Sequence, residues 1–204
     1  MNKIKLLLII TIISSSLVAQ EKQELKNILG ISPLQIVNGV RIKYERLLNK
    51  EITYGGILTG YYPNPKHHDY TGIQLAPIAR LYFTQNAPKG FYCQAKVLGG
   101  VHSTEIMFVE TYQINPEDVL FKSENKKHIF ASFGAGMVLG FQAIWGDNKR
   151  MVLDMNLGLK YMGDIPMPAT KESQKVYHCN DSRDWFLIGP ASVIDGLISI
   201  GYRF

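Results

Sequence analysis

The sequence predicts an all-β fold: an eight-stranded antiparallel up-and-down transmembrane β-barrel. Three observations predict it. About eight segments alternate apolar and polar residues with period two, the pattern of a strand with one apolar face. Short turns and longer polar connections alternate strictly from the second strand onward. The chain of 204 residues closes on "LISIGYRF" (197–204), where Ile198, Ile200, Tyr202 and Phe204 alternate with Ser199, Gly201 and Arg203. A soluble domain usually frays into a polar terminus instead.

The N-terminus reads as an export signal. "MNKIK" is basic, "LLLIITII" (6–13) is apolar, and "SSSLVAQ" follows. This is the layout of a secretory signal peptide cut after Ala19, with an apolar run well short of the roughly 20 residues that span a bilayer. It leaves 20–204 as the barrel domain.

The first strand falls near 27–35 and is interrupted by Pro33, which cannot donate to a ladder. In the second, Val40, Ile42, Tyr44 and Leu48 oppose Arg41, Lys43 and Glu45. In the third, Ile52, Tyr54, Leu58 and Tyr62 oppose Thr53, Gly55 and Thr59. In the fourth, Ile73, Leu75, Leu81 and Phe83 oppose Gln74, Ala76, Arg80 and Tyr82. In the fifth, Phe91, Ala95, Val97 and Val101 oppose Tyr92, Gln94, Lys96 and Gly100. The last three span 128–145, 151–163 and about 191–204, with Asp154, Lys160, Asp195 and Arg203 on the polar faces.

The turns "NKE" (49–51), "TQNAPKG" (84–90) and "GDNKR" (146–150) are short and rich in Asn, Asp and Gly. The connections 63–71, 104–127 and 164–190 are longer and polar. In outer-membrane barrels short turns face the periplasm and long loops face outward. With both termini periplasmic the strand number is even, which requires the first strand and gives eight.

Alternation alone leaves open which face is lipid. A soluble lipid-binding barrel would turn its apolar face inward; a membrane barrel reverses this, because closure leaves no unpaired edge in lipid. Mid-strand charges on the polar faces favour the membrane. So do the aromatics near strand ends: Tyr61, Tyr62, Tyr82, Phe83, Phe91, Tyr92, Trp145, Tyr161, Tyr202 and Phe204 resemble two interfacial girdles. Outer-membrane lipid is then the first partner. The charge of +5 gives no case for nucleic acid, since without Lys3 and Lys5 it is 20 basic residues to 17 acidic, with no basic stripe.

The ending "ISIGYRF" is similar to the signal by which bacterial outer-membrane proteins are recognised by the barrel-assembly machinery. That assigns Ile198, Ile200, Tyr202 and Phe204 to the assembly signal. Together with "KYERLLNKE" (43–51) and "APIARLYF" (76–83), the ending resembles a family of small Bacteroidota outer-membrane β-barrels of uncharacterised function. The resemblance covers most of the mature chain and implies architecture and location. No catalytic residues come with it.

Counting along each strand gives the inward charges a depth. Glu45, Arg80, Asp154, Lys96 and Arg203 should form one layer near the turn end, with Arg41, Lys160 and Asp195 in a higher one. Lys43 shares the inward parity, for six bases to three acids. An eight-stranded barrel is just wide enough to be filled by side chains, and buried charges there must be paired. The expected pairs are Glu45 with Arg80, and Asp154 with Arg203 or Lys96.

Candidate chemistry is sparse. "VHSTE" (101–105) offers His102 and Ser103, but adjacent strand residues point to opposite faces, so the two do not form a nucleophile and base pair. His67, His68, Asp69, His178 and Cys179 lie in "KHHD" and "YHCN", without a spacing diagnostic of zinc. Cys93, near the turn end, and Cys179, in an outside loop, are too far apart to bridge and are expected as free thiols. The reading is a non-enzymatic barrel without cofactor, its interior filled by charged side chains. Its loops at 104–127 and 164–190 would contact an unknown protein or surface. A narrow passive channel and a lipid-modifying enzyme are the alternatives.

Overall fold

The computed structural model describes residues 25–32, 39–63, 70–115, 118–170, 174–178, 185–186 and 189–204. The strands are β1 (Asn27–Ser32), β2 (Gly39–Leu47), β3 (Ile52–Tyr61), β4 (Thr71–Tyr82), β5 (Gly90–Asn115), β6 (Asp118–Trp145), β7 (Met151–Met162), β8 (Gln174–His178) and β9 (Ile194–Arg203). Each of β1 to β6 pairs antiparallel with the next, β7 pairs with β9, and β9 returns to β1. Eight strands thus close an antiparallel barrel, with β8 outside the ring. The signal-peptide region and the segment after Ser32, including Pro33, lie outside the described residues.

The short turns form as their residues dictate. Asn49 bends its side chain over the β2–β3 turn, where its Oδ1 accepts from the amides of Glu51 (2.9 Å) and Ile52 (2.8 Å). Gly90 and Gly146 take positive φ values of 115° and 88° beside the other two turns. The start of β1 and the last residue meet at this same end, where the Asn27 amide donates to the Phe204 carbonyl (2.9 Å) and the Phe204 amide donates back (2.8 Å).

The apolar faces point outward. Phe133, Met137, Leu157 and Tyr161 are 72%, 63%, 65% and 71% exposed, whereas Glu45, Arg80, Gln142 and Asp154 are at most 1% exposed. Three residues placed among the surface aromatics belong inside instead: Tyr61, Tyr82 and Tyr92 are buried. Each shares the inward parity of its strand, and its hydroxyl finds a polar partner there.

The largest departure from expectation concerns 104–127. Residues 104–115 and 118–127 are strand, not loop. β4 stops pairing at Ser103, but β5 and β6 continue as one antiparallel hairpin to Asn115 and Asp118. At ~3.3 Å per residue, the 12 residues after Ser103 project about 40 Å beyond the rim. β8, from within the expected 164–190 loop, adds to the edge that β4 vacates, pairing Ile106–Glu110 with Gln174–His178. The polar residues of 104–127 suggested a loop, yet "IMFVETYQI" (106–114) is rich in β-branched and aromatic strand formers. We call this three-stranded projection the arm.

Candidate functional site

The barrel interior holds two clusters of buried charge. The one nearer the turns is built from Lys43, Glu45, Arg80 and Asp154, on β2, β4 and β7. Arg80 donates from Nη1 to Glu45 Oε2 (2.8 Å) and from Nη2 to Asp154 Oδ2 (2.8 Å). Lys43 Nζ bridges the same two carboxylates, at 3.1 Å from Glu45 Oε2 and 2.6 Å from Asp154 Oδ2. Two cations face two anions, so the cluster is neutral.

Neutral side chains complete it. Glu45 Oε1 accepts from Thr53 Oγ1 (2.7 Å) and Tyr82 OH (2.9 Å), and Asp154 Oδ1 accepts from Tyr92 OH (2.5 Å). Gln94 and Gln142 each take a guanidinium N–H of Arg80 at 2.7 Å. The Arg80 guanidinium also lies 4.2 Å from the centre of the Tyr92 ring. Gly140 makes room for that ring, since a Cβ there would come within 2.4 Å of the Tyr92 hydroxyl. Buried charges cost several kcal/mol each unless paired and hydrogen-bonded, and these four are both.

The second cluster lies farther from the turns and joins Arg41, Lys96, Lys160 and Asp195. Lys96 Nζ pairs with Asp195 Oδ2. Lys160 Nζ stands 4.0 Å from Asp195 Oδ1 and donates to the Pro190 carbonyl at 2.9 Å. Arg41 Nη1 reaches the Gly196 carbonyl at 3.5 Å, and Arg41 Nε has no partner among the described residues.

The expected Glu45–Arg80 pair is therefore present, and Arg41, Lys160 and Asp195 share a layer as expected. Three assignments differ. Lys96 belongs to the upper cluster, Lys43 takes its place below, and Asp154 pairs with Lys43 and Arg80. The strands of a barrel tilt and their register staggers, so equal counts from a turn are not equal depths. Lys96 sits level with Gly136, which sits level with Lys160. Arg203, a further departure, joins neither cluster: its Nε donates to the Leu25 carbonyl (2.6 Å), and it lines two clefts of about 470 and 570 Å³ at the turn end.

Above the charges the interior becomes aromatic. His102 is 1% exposed, buried one residue below the rim at Ser103. Its ring lies 5.7 Å from Tyr61, 5.9 Å from Phe130 and 5.3 Å from Trp185, centre to centre. Gly72 and Gly100 leave the space it occupies, since a Cβ at either would approach a ring nitrogen to 2.7 or 2.6 Å. Trp185 also packs on Tyr70 and Phe130, and donates to the Gly163 carbonyl (3.2 Å). Ser103 alternates to the other face, as expected.

The tyrosines and glutamines around Arg80 were not singled out by charge, although their inward parity was legible. Trp185 had no such signal, because it comes from the long β7–β9 connection. Cys93 is a free thiol near the turn end. Cys179 and the "KHHD" segment lie outside the described residues, as does the side chain of His178. No protein-family model, no curated protein and no solved structure matches the chain.

Proposed function

We propose that the protein is an exported, non-enzymatic outer-membrane β-barrel, filled by its own side chains, that presents its arm for contact outside the cell. The outward apolar face carries this reading. At ~25 cal/mol per Å² of apolar surface, a band of exposed Phe, Leu, Ile, Val and Met opposes solution in water and favours a lipid surround. The inward ion pairs complete the inversion relative to a soluble barrel. The resemblance of "ISIGYRF" to the assembly signal supports the same location, and that of the three motifs to small Bacteroidota barrels supports the same architecture.

The enzyme alternative is disfavoured by the opposed faces of His102 and Ser103 and by the aromatic packing around the imidazole. Outer-membrane fractionation combined with heat-modifiable gel mobility tests the central reading. The expected result is recovery in the outer membrane and faster migration of the unheated protein. Recovery in the soluble fraction without detergent would reject it.

A narrow channel is the second reading, favoured by charged side chains at two depths of the interior. Planar-bilayer conductance separates the two. A filled barrel gives no steps, whereas a channel gives steps that Glu45→Ala alters.

A further inference from the structure

The two charged clusters differ in balance. The lower has two cations and two anions. Among the described residues the upper has three cations, Arg41, Lys96 and Lys160, and one anion, Asp195. All four upper side chains are buried, with exposures of 3–7%. A buried excess of two positive charges is costly unless something negative sits with them.

Among the described residues the compensation is incomplete. Asp195 is engaged by Lys96. Lys160 is 4.0 Å from the other carboxylate oxygen and turns to a backbone carbonyl. Arg41 makes one marginal backbone bond, at 3.5 Å to Gly196, and stands beside the Tyr61 hydroxyl, while its Nε is buried with no partner among the described residues. Between Lys96 and Lys160, on the intervening strand, the register places Gly136. A Cβ there would fall 2.8 Å from that of Lys160, so the position facing both lysines carries no side chain.

We infer that the upper cluster binds a small inorganic anion of the halide class, held by Arg41, Lys96 and Lys160. A larger organic acid is a poorer match, because Ile57, Leu98 and Phe130 bury the interior around and above the cluster. The site rests on burial and charge balance, independently of where in the cell the barrel resides.

Chloride and bromide are the probes. Thermal unfolding of the folded mature chain is followed at constant ionic strength and pH while chloride replaces the bulkier gluconate. Chloride should raise the midpoint. Above the dissociation constant, each tenfold rise in chloride should shift the unfolding equilibrium about tenfold toward the fold. Lys160→Met should abolish that dependence, whereas Lys122→Met on the exposed arm should retain it. Should Lys160→Met not fold, crystals of the unaltered protein soaked in bromide provide the second measurement. An anomalous peak bounded by Arg41, Lys96 and Lys160 supports the site. Equal midpoints in chloride and gluconate, or no bromide peak there, overturn it.

Discussion

Arg80 and Asp154 meet at 2.8 Å across the barrel interior, with neither side chain exposed. They come from β4 and β7, which are not neighbours in the sheet, so the contact crosses the barrel. Arg80 also holds Glu45, and removing it would leave two buried carboxylates with Lys43 as their shared cation. Arg80→Met should therefore destabilise the barrel by about 3–5 kcal/mol. Denaturant unfolding in detergent micelles checks this. A loss below 1 kcal/mol would mean that water reaches the cluster.

Arg203 provides the contrast. Its guanidinium donates to one backbone carbonyl and contacts no carboxylate among the described residues. Arg203→Ala should cost about 1 kcal/mol, the net worth of one ordinary hydrogen bond. The same unfolding assay ranks it against Arg80→Met.

Tyr92 and Gly140 form a coupled pair. Tyr92→Phe removes a donor to the Asp154 carboxylate and should cost about 1.5–3 kcal/mol. Gly140→Ala drives a methyl against the same ring and should cost about 1–3 kcal/mol. Both act on one phenol, so the double variant should lose less than the sum of the single losses. A double-mutant cycle measures the difference, and strict additivity would show that the ring moves aside freely.

Phe204 ties the last residue to the start of β1 through two backbone hydrogen bonds, at 2.8 and 2.9 Å. The β1–β9 seam has four register pairs, against nine or more for each of the other barrel pairs from β2 onward. Deleting Phe204 should lower the yield of membrane-inserted barrel severalfold in cells. Quantifying the heat-modifiable band in outer-membrane fractions tests it, and an unchanged yield would remove the terminus from assembly.

The arm should be separable from the barrel. Replacing 109–123 by an Asn-Gly turn keeps Ile106, which is buried near the rim, and removes pairings that lie outside the ring. The thermal midpoint should stay within about 4 °C of the original, since exposed changes away from special features fall within about 0.5 kcal/mol. A larger drop would show that the arm braces the rim.

Much of this was local information. Period-two alternation placed the barrel strands and assigned each inward charge to its face, because side-chain direction alternates with the backbone pleat. The Asn, Asp and Gly content of the turns placed one end of the barrel, and chain parity placed the termini beside it. Depth was not local. Lys96 left the lower layer, and Lys43, given no depth by its parity, entered it, because strand tilt and register are properties of the closed sheet, set by pairing between strands. The arm was half legible: "IMFVETYQI" forms strand by composition, but its pairing with β8 joins segments far apart in the chain. The aromatic packing of His102 likewise depends on where a long connection delivers Trp185. By itself the sequence determined the fold class, the face of each strand residue and the pairing of Glu45 with Arg80. Only the closed tertiary structure decided which charges share a depth, and left three upper cations with one acid among the described residues, because that balance is set across the barrel rather than along the chain.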